Sequence, residues 1–572
     1  MWNKILLFFS FIIIFSSCGQ YQNQPEEVRV HISADPENLN PVSYTNIQAE
    51  QLIKLLYQSL LGADLEDNEL KPVLAESYPV IERRGSLTYI TFTIREEAEW
   101  SDGSPVLASD VAFTLKLIKA PLLNNGRLKP QLEFITDFIA DPANERKFTF
   151  VCEGFSPEME LVAGDFFILP AKVFDPNGLM QQVSIADLVS GKAQLEQNTE
   201  FNEFATRFNG SDFARNKELL KGSGGYELDS WSSGQYITLK RKDNWWGKNT
   251  GSASTYLTAN PSRINFQIIP ENTTALLALK NEQLDVLSDI AATEFDQLKQ
   301  DQNFSQNYNL YSPDAYEFVY AGLNSRLSKF SDKRTRQAIA WLMDVDNFIK
   351  VTHQNYATKT IGPVPPSAKE FYHTGIKPYT FDKEHAIDLL KAAGWIKESQ
   401  GWYQNINGQK QQLTIEIIYR AGNTVFENTA LIFQQAASQV GIPVSLMALE
   451  SSMVSKKIKS HEFDLFFRSL HGNPFVFNFK PLLHTSYAEV GGANYTGFGT
   501  PESDYLLDAI LATEDTENKS KQLKRLQEII HDEAAFLPLY YQKDKLAIHK
   551  RFGNTKVSGL KPNYDVGAFI LK

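Results

Sequence analysis

Apolar and polar residues alternate at every second position in Val28-Arg-Val-His-Ile-Ser33, in Thr88–Ile94 and in Tyr236–Arg241. That period belongs to a strand with one face buried. Within Gln48–Leu61, Leu52, Leu55, Leu56 and Leu60 recur at helical spacing, which predicts an amphipathic helix. Asp35-Pro36 and Asn40-Pro41 mark turns between the first strand and that helix. The Thr88 strand runs into Glu99-Trp-Ser-Asp-Gly-Ser-Pro105, where Asp102-Gly103 supplies a tight turn, and Ser109 is the expected N-cap of a helix reaching Ile118. Lys147–Cys152 reads as another strand, and from about 122 to 216 the pattern weakens, as insertions would make it.

The second half is more regular. Asp332–Lys350 is predicted as one helix with Ala338, Leu342, Val345 and Ile349 on one face. Asp382–Ala393 is a second, capped by Asp382 and stopped by Gly394. A strand at Leu413–Tyr419, a helix at Glu427–Val440 ended by Gly441, and a strand at Val444–Leu449 follow in order. Strand, helix, strand in succession predicts an α/β fold. There is no tandem repeat and no low-complexity tract.

The N-terminus departs from this pattern. Lys4 gives a positive start, Ile5–Phe15 is apolar but for Ser10, and Ser16-Ser-Cys-Gly19 follows. A run of about eleven residues is shorter than the roughly 20 needed to span a bilayer, and it has the form of a secretory signal. Cys18 stands where a lipobox cysteine stands, so it is expected to be the lipidated first residue of the mature chain, with 18–27 as a polar tether. That leaves Cys152 without an intrachain partner, as a small buried hydrophobe.

Length demands more than one core. The formal net charge of -12 argues against nucleic acid or an anionic membrane surface as partner. Aromatic residues make up 12% of the chain, more than enough to line a cleft as well as fill cores. Catalytic signatures are missing. His461-Glu462 is followed by Leu465 where a zinc-protease motif needs a second His; no nucleophile elbow and no phosphate-binding glycine loop occurs, and Gly222-Ser-Gly-Gly-Tyr226 leads into a strand. The expectation is a chain that is not an enzyme and holds no cofactor or resident metal.

Several segments carry a resemblance. They are Leu39-Asn-Pro41, Leu56-Tyr-Gln-Ser-Leu-Leu61, Glu69–Ser77, and above all Phe92–Pro105 with Ser109-Asp-Val111. Gly222–Tyr226, Asn244-Trp-Trp-Gly247, Leu284-Asp-Val-Leu287, Asn324, Arg334–Ala340, Gly441-Ile-Pro443 and Pro538-Leu-Tyr540 continue the series. In this order they resemble the extracellular solute-binding protein family 5, the dipeptide/oligopeptide-binding group. The resemblance implies a periplasmic-binding-protein type II-like α/β fold, two lobes with a hinge plus an extra domain. It places lobe I at 28–58, 212–308 and 532–572, the extra domain at 59–211 and lobe III at 309–531. It further implies a monomer in the cell envelope, held on the periplasmic side of a membrane by its lipid anchor, which binds a peptide or peptide-like solute between its lobes. That solute is delivered to the permease and ATPase of an ABC importer.

The same resemblance nominates site residues. Arg420, in Tyr419-Arg-Ala-Gly-Asn423, matches an Arg expected to grip a peptide carboxylate, with Asn423 beside it. Relatives have an Asp for the peptide amine in the loop after the strand at Phe463–Phe467, but here that loop reads Arg468-Ser-Leu-His-Gly-Asn-Pro474, and Asn473 stands near the Asp position. His471 in this loop is a further candidate contact, though a lone His is a poor metal site. Tyr44-Thr45-Asn46 and Asn494-Tyr495 match segments that line the cleft in relatives.

Overall fold

The computed structural model describes residues 27–65, 69–156, 158–191, 195–251, 254–472 and 474–572. Two mixed sheets carry the architecture. The first has seven strands, in spatial order Tyr308–Tyr311, Leu546–His549, Val286–Leu287, Glu27–Ile32, Arg263–Ile268, Tyr236–Arg241 and Tyr226–Ser232. The second has six, in the order Ala357–Lys359, Phe536–Lys543, Asp314–Leu323, Leu465–His471, Ile415–Arg420 and Val444–Leu449. The chain crosses between them at 312–313 and again at 544–545, which gives the two lobes and double hinge that were expected.

The last crossing falls later than the expected boundary at 531/532. Phe536–Lys543 pairs with Asp314–Leu323 in the second sheet, so it belongs to lobe III. The extra domain is built on the four-stranded sheet Val80–Arg84, Leu87–Thr93, Lys147–Glu153 and Ile135–Ala140. It does not own a separate core: Phe92, Phe148 and Phe150 join Val30, Leu52, Ile237 and Phe266 of lobe I in one continuous apolar cluster. Lobe III instead has two clusters, one on each face of its sheet. Mechanically the molecule is therefore two bodies, lobe I with the extra domain against lobe III.

Local chemistry explains most element ends. Asp382 caps Lys383–Ala392 by accepting from His385 N, and Gly441 ends Thr424–Val440 at φ 87°. The predicted helix Asp332–Lys350 is two helices, Lys333–Trp341 and Val345–His353. Asp344 breaks it, because its carboxylate accepts from Asn347 N and starts a new helix. The N-cap expected at Ser109 lies at Leu107, where the Asp110 carboxylate accepts from Leu107 N at 3.0 Å. Asp110 also accepts from Trp100 Nε1 and Ala171 N, so the Trp100–Gly103 turn is an architectural joint. Gly222 and Gly224 lie against the last turn of helix Ile47–Leu56, where any Cβ would overlap the Leu56 or Leu55 carbonyl. Cys152 is fully buried, and burial pushes its thiol up to about 12, which makes it inert.

One residue of lobe III is seated in lobe I. Tyr356 packs edge-on against Phe295, donates to Asp296 at 2.5 Å and accepts from Lys299 at 2.7 Å. It joins the small apolar cluster of Leu279, Phe304 and Tyr308. This contact pins the hinge side of the molecule.

Candidate functional site

In open α/β sheets, ligands gather where parallel strands end, because the loops and helix N-termini there present unpaired polar groups. Lobe III has three such strands: Ile415–Arg420 runs parallel to Val444–Leu449 on one side and to Leu465–His471 on the other. Arg420 is the exposed last residue of its strand, and continuing the register Ile418↔Phe466 sets it beside Arg468. Among the described residues neither guanidinium has an ion pair or hydrogen bond; Arg468 only overlies the Tyr495 ring at 5.8 Å. Helix Thr424–Val440 starts at the same edge, capped by Asn423, and its N-terminal dipole adds to the positive potential. Two adjacent free guanidinium forks at a strand end suit a carboxylate, which takes parallel N–H bonds from a planar fork.

Beside the crossings, a cavity of about 590 Å3 opens between the lobes. Lobe I contributes Asp289, Ile290 and Lys561, and lobe III contributes Tyr316, Glu317 and His471. Lys561 bridges Asp289 and Asp544 at 2.9 Å each, and Asn563 also donates to Asp544. Burial works against the Lys561 charge, but the two carboxylates outweigh it and raise its pKa. Glu317 lies across the sheet from His471, 3.6 Å away, beyond hydrogen-bond reach.

Among the described residues, the extra domain makes one ion pair with lobe III, Arg83–Glu514, at 2.6 Å. This contact shows which faces meet: the side of lobe I carrying helix Ile47–Leu56 and the extra domain faces the lobe III side carrying helix Thr516–Glu533. On the lobe I side, Lys54 pairs with Glu50 at 3.2 Å, and water reaches Asp165 on the neighbouring extra domain. Crowding by protein pushes the Asp165 carboxyl up to about 7, against the opposing pull of Lys54 and Arg127. The Arg83–Glu514 pair is exposed, so it contributes less than about 1 kcal/mol. Glu514→Ala is expected to speed ligand release no more than about five-fold, with 0.5 M salt doing the same to the wild type; stopped-flow release rates check both.

The other predicted residues have mixed placements. Tyr44 is buried, with Phe167 beside it and the Arg127 guanidinium 3.8 Å above its ring. Thr45 is exposed and donates to Glu37, and Asn46 caps helix Ile47–Leu56 by accepting from Ala49 N. Asn494 is fully buried, its amide spent on the carbonyls of His484 and Phe498. Tyr495 is half-buried beneath Arg468. Cys18 and Asn473 lie outside the described residues.

Sequence reasoning took Arg468 as the start of a loop. The strand instead continues to His471, because Glu317–Leu323 pairs with the whole of Leu465–His471. Glu317 was missed altogether. The alternation in Tyr316-Glu-Phe-Val-Tyr320 was its signal, but only the cross-strand register shows what the carboxylate faces.

Comparison with known proteins agrees with the two-lobed α/β fold. The profile described as "Bacterial extracellular solute-binding proteins, family 5 Middle" matches residues 69–489. The oligopeptide-binding protein AppA of Bacillus subtilis is 22% identical, over 96% of this chain and 92% of the relative. The nickel-binding periplasmic protein of Escherichia coli is 24% identical, over 93% of this chain and 92% of the relative. The solved structure of the Bacillus subtilis AppA, in complex with a nonapeptide, superposes with a TM-score of 0.64 at 20% identity, covering 96% of this chain and 99% of that one.

Proposed function

The chain belongs to the bacterial extracellular solute-binding proteins of family 5, and on that premise we propose that it captures a short peptide or peptide-like solute by its free carboxylate and delivers it to an ABC importer. It is a binding protein, not an enzyme. The observation that carries the reading is the pair of guanidinium groups, Arg420 and Arg468, at the carboxyl edge of the lobe III sheet, neither of which has an ion pair or hydrogen bond among the described residues. A buried carboxylate needs such partners, since an unpaired buried charge is costly.

Binding energy does the work. A solute held by lobe III and touching lobe I stabilises the closed arrangement, and the permease reads that arrangement. Release then needs only that the lobes part, which the two crossings at 312–313 and 544–545 allow. No helix among the described residues is long and apolar enough to cross a membrane. Lipidation at Cys18 supplies the anchor in this reading, and stable anchoring takes more than one acyl chain.

A thermal-shift screen tests the proposal. A pool of di- and tripeptides with free ends is expected to stabilise the delipidated protein by about 2.7 kcal/mol at 100 times the dissociation constant. The same pool C-amidated, and Ni(II) alone, are expected to give no shift. Equal shifts from free and amidated pools would remove the carboxylate from the reading.

A further inference from the structure

A second cavity, of about 360 Å3, lies where the extra domain meets lobe III, and neither Arg420 nor Arg468 lines it. The extra domain contributes Arg83, Phe155, Met159 and Glu160, and lobe III contributes Glu514 and Lys519. One end is already clamped. The Arg83 guanidinium lies 3.2 Å above the Phe155 ring and pairs with Glu514 at 2.6 Å. Glu160 and Lys519 are opposite in sign and stand on opposite bodies, yet among the described residues neither side chain has an ion pair or hydrogen bond. Both are half-buried. Burial pushes the Glu160 carboxyl up, and it pushes the Lys519 ammonium down against the pull of Glu514. Each charge has lost hydration without gaining a partner, which costs free energy until an opposite charge arrives.

We infer that Glu160 and Lys519 are the two halves of a latch: when lobe III swings further onto the extra domain they pair, the cavity gives up its space, and the closed arrangement gains a second clasp beside Arg83–Glu514. The surroundings of each half support this. Lys519 stands in the first turn of helix Thr516–Glu533, whose positive end disfavours a cation and favours an approaching carboxylate. The acids nearest to it in the chain are engaged: Asp515 caps the helix by accepting from Asn518 N, Glu517 pairs with Lys521 at 2.7 Å, and Glu514 holds Arg83. Glu160 is carried on helix Glu158–Gly164, whose Met159 and Ala163 belong to the core shared with lobe I. Gly164 lies so close to Leu61 that any Cβ there would overlap its side chain. The helix therefore moves with lobe I, and bending at 312–313 and 544–545 brings Glu160 toward lobe III as a rigid unit. The latch acts on closure whatever solute fills the cleft, so it goes beyond the peptide reading and does not rest on it.

Carbodiimide cross-linking of the full mature chain, at a dilution where it runs as a monomer, tests the latch without any solute. The reagent activates a carboxylate as an O-acylisourea, an adjacent lysine Nζ attacks the carbonyl carbon, the urea leaves, and an amide joins the two side chains. Mass spectrometry of the digest reads the product, with the Glu517–Lys521 amide as internal standard, since that pair is already in contact. The Glu160–Lys519 amide is expected at a tenth or more of the standard's yield. A lower yield overturns the latch. Stopped-flow release of a pool of tripeptides with free ends gives a second reading. Glu160→Gln and Lys519→Met are each expected to speed release two- to five-fold, and the double variant no more than either alone. Effects that multiply in the double variant, or singles that release at the wild-type rate, overturn the pairing. A pool that does not bind at all counts against the peptide reading, while the cross-link on the unaltered protein still decides the latch.

Discussion

Replacing Arg420 and Arg468 together by alanine is expected to weaken peptide binding by about 100- to 1000-fold while leaving the unliganded protein as stable as before. A hydrogen bond to a charged group contributes roughly 1.5–3 kcal/mol, and truncating one partner of an enclosed charge pair costs about 3–5 kcal/mol. In the proposed site the two residues share one anion, so their effects are not expected to add, and the double variant falls short of the sum. Neither guanidinium has an ion pair or hydrogen bond among the described residues, so the fold loses little when they go. Adjacent like charges repel, and the empty double variant is expected to melt at or slightly above the wild-type temperature. Arg420→Lys keeps the charge but loses the planar fork, and is expected to retain binding about 10-fold weaker. Calorimetric titration with the tripeptide pool checks affinity, and differential scanning checks stability. Wild-type affinity in the double variant would sink the carboxylate clamp.

How much of this was legible in the sequence follows from the range over which each feature is fixed. Caps and stops are local, so Asp382, Gly394 and Gly441 marked their helix ends, and alternation located Glu27–Ile32 and Tyr236–Arg241 within a residue or two. Asp344 was equally local but hidden, because the apolar face of Asp332–Lys350 continues through the break. The lobe boundaries needed pairing information: nothing inside Phe536–Lys543 says that it completes the second sheet before the chain returns. For the site, Arg420 was found because a strand end shows in sequence. Arg468 was not, since it acquires its setting from a register joining segments some 150 positions apart. The same limit explains Tyr44 and Asn494. Their side chains suit a cleft, yet the structure turns both inward, one under Arg127 and the other onto backbone carbonyls.

Asp285→Ala is expected to cost the lobe I body about 3 kcal/mol, for a reason that lies in how a discontinuous lobe is held shut. Lobe I is assembled from three stretches of chain, and the fully buried Asp285 carboxylate joins all of them. It accepts from Arg29 N, Nε and Nη2 on the first strand, and from Arg551 Nε and Nη2 on the last return of the chain. Burial pushes the Asp285 carboxyl up, but the hydrogen bonds and charges of Arg29 and Arg551 outweigh this and hold it below its usual range. Removing the carboxylate strands two guanidinium groups that are only 23% and 29% exposed, so they recover part of their hydration, and the cost stays at the lower end for a broken buried pair. Arg29→Ala leaves Arg551 in place and is expected to cost about half as much. The pH dependence has a definite sign. A depressed folded pKa contributes stability that is present above the unfolded value of about 3.9 and is lost as pH falls through the folded one. The gap between wild type and Asp285→Ala is therefore expected to be constant from pH 5 to 7 and to close below about pH 4. Urea unfolding followed by tryptophan fluorescence, at pH 7 and again at pH 3, reads both claims; an unchanged midpoint at pH 7, or a gap that widens in acid, would show that the three stretches are held by packing alone.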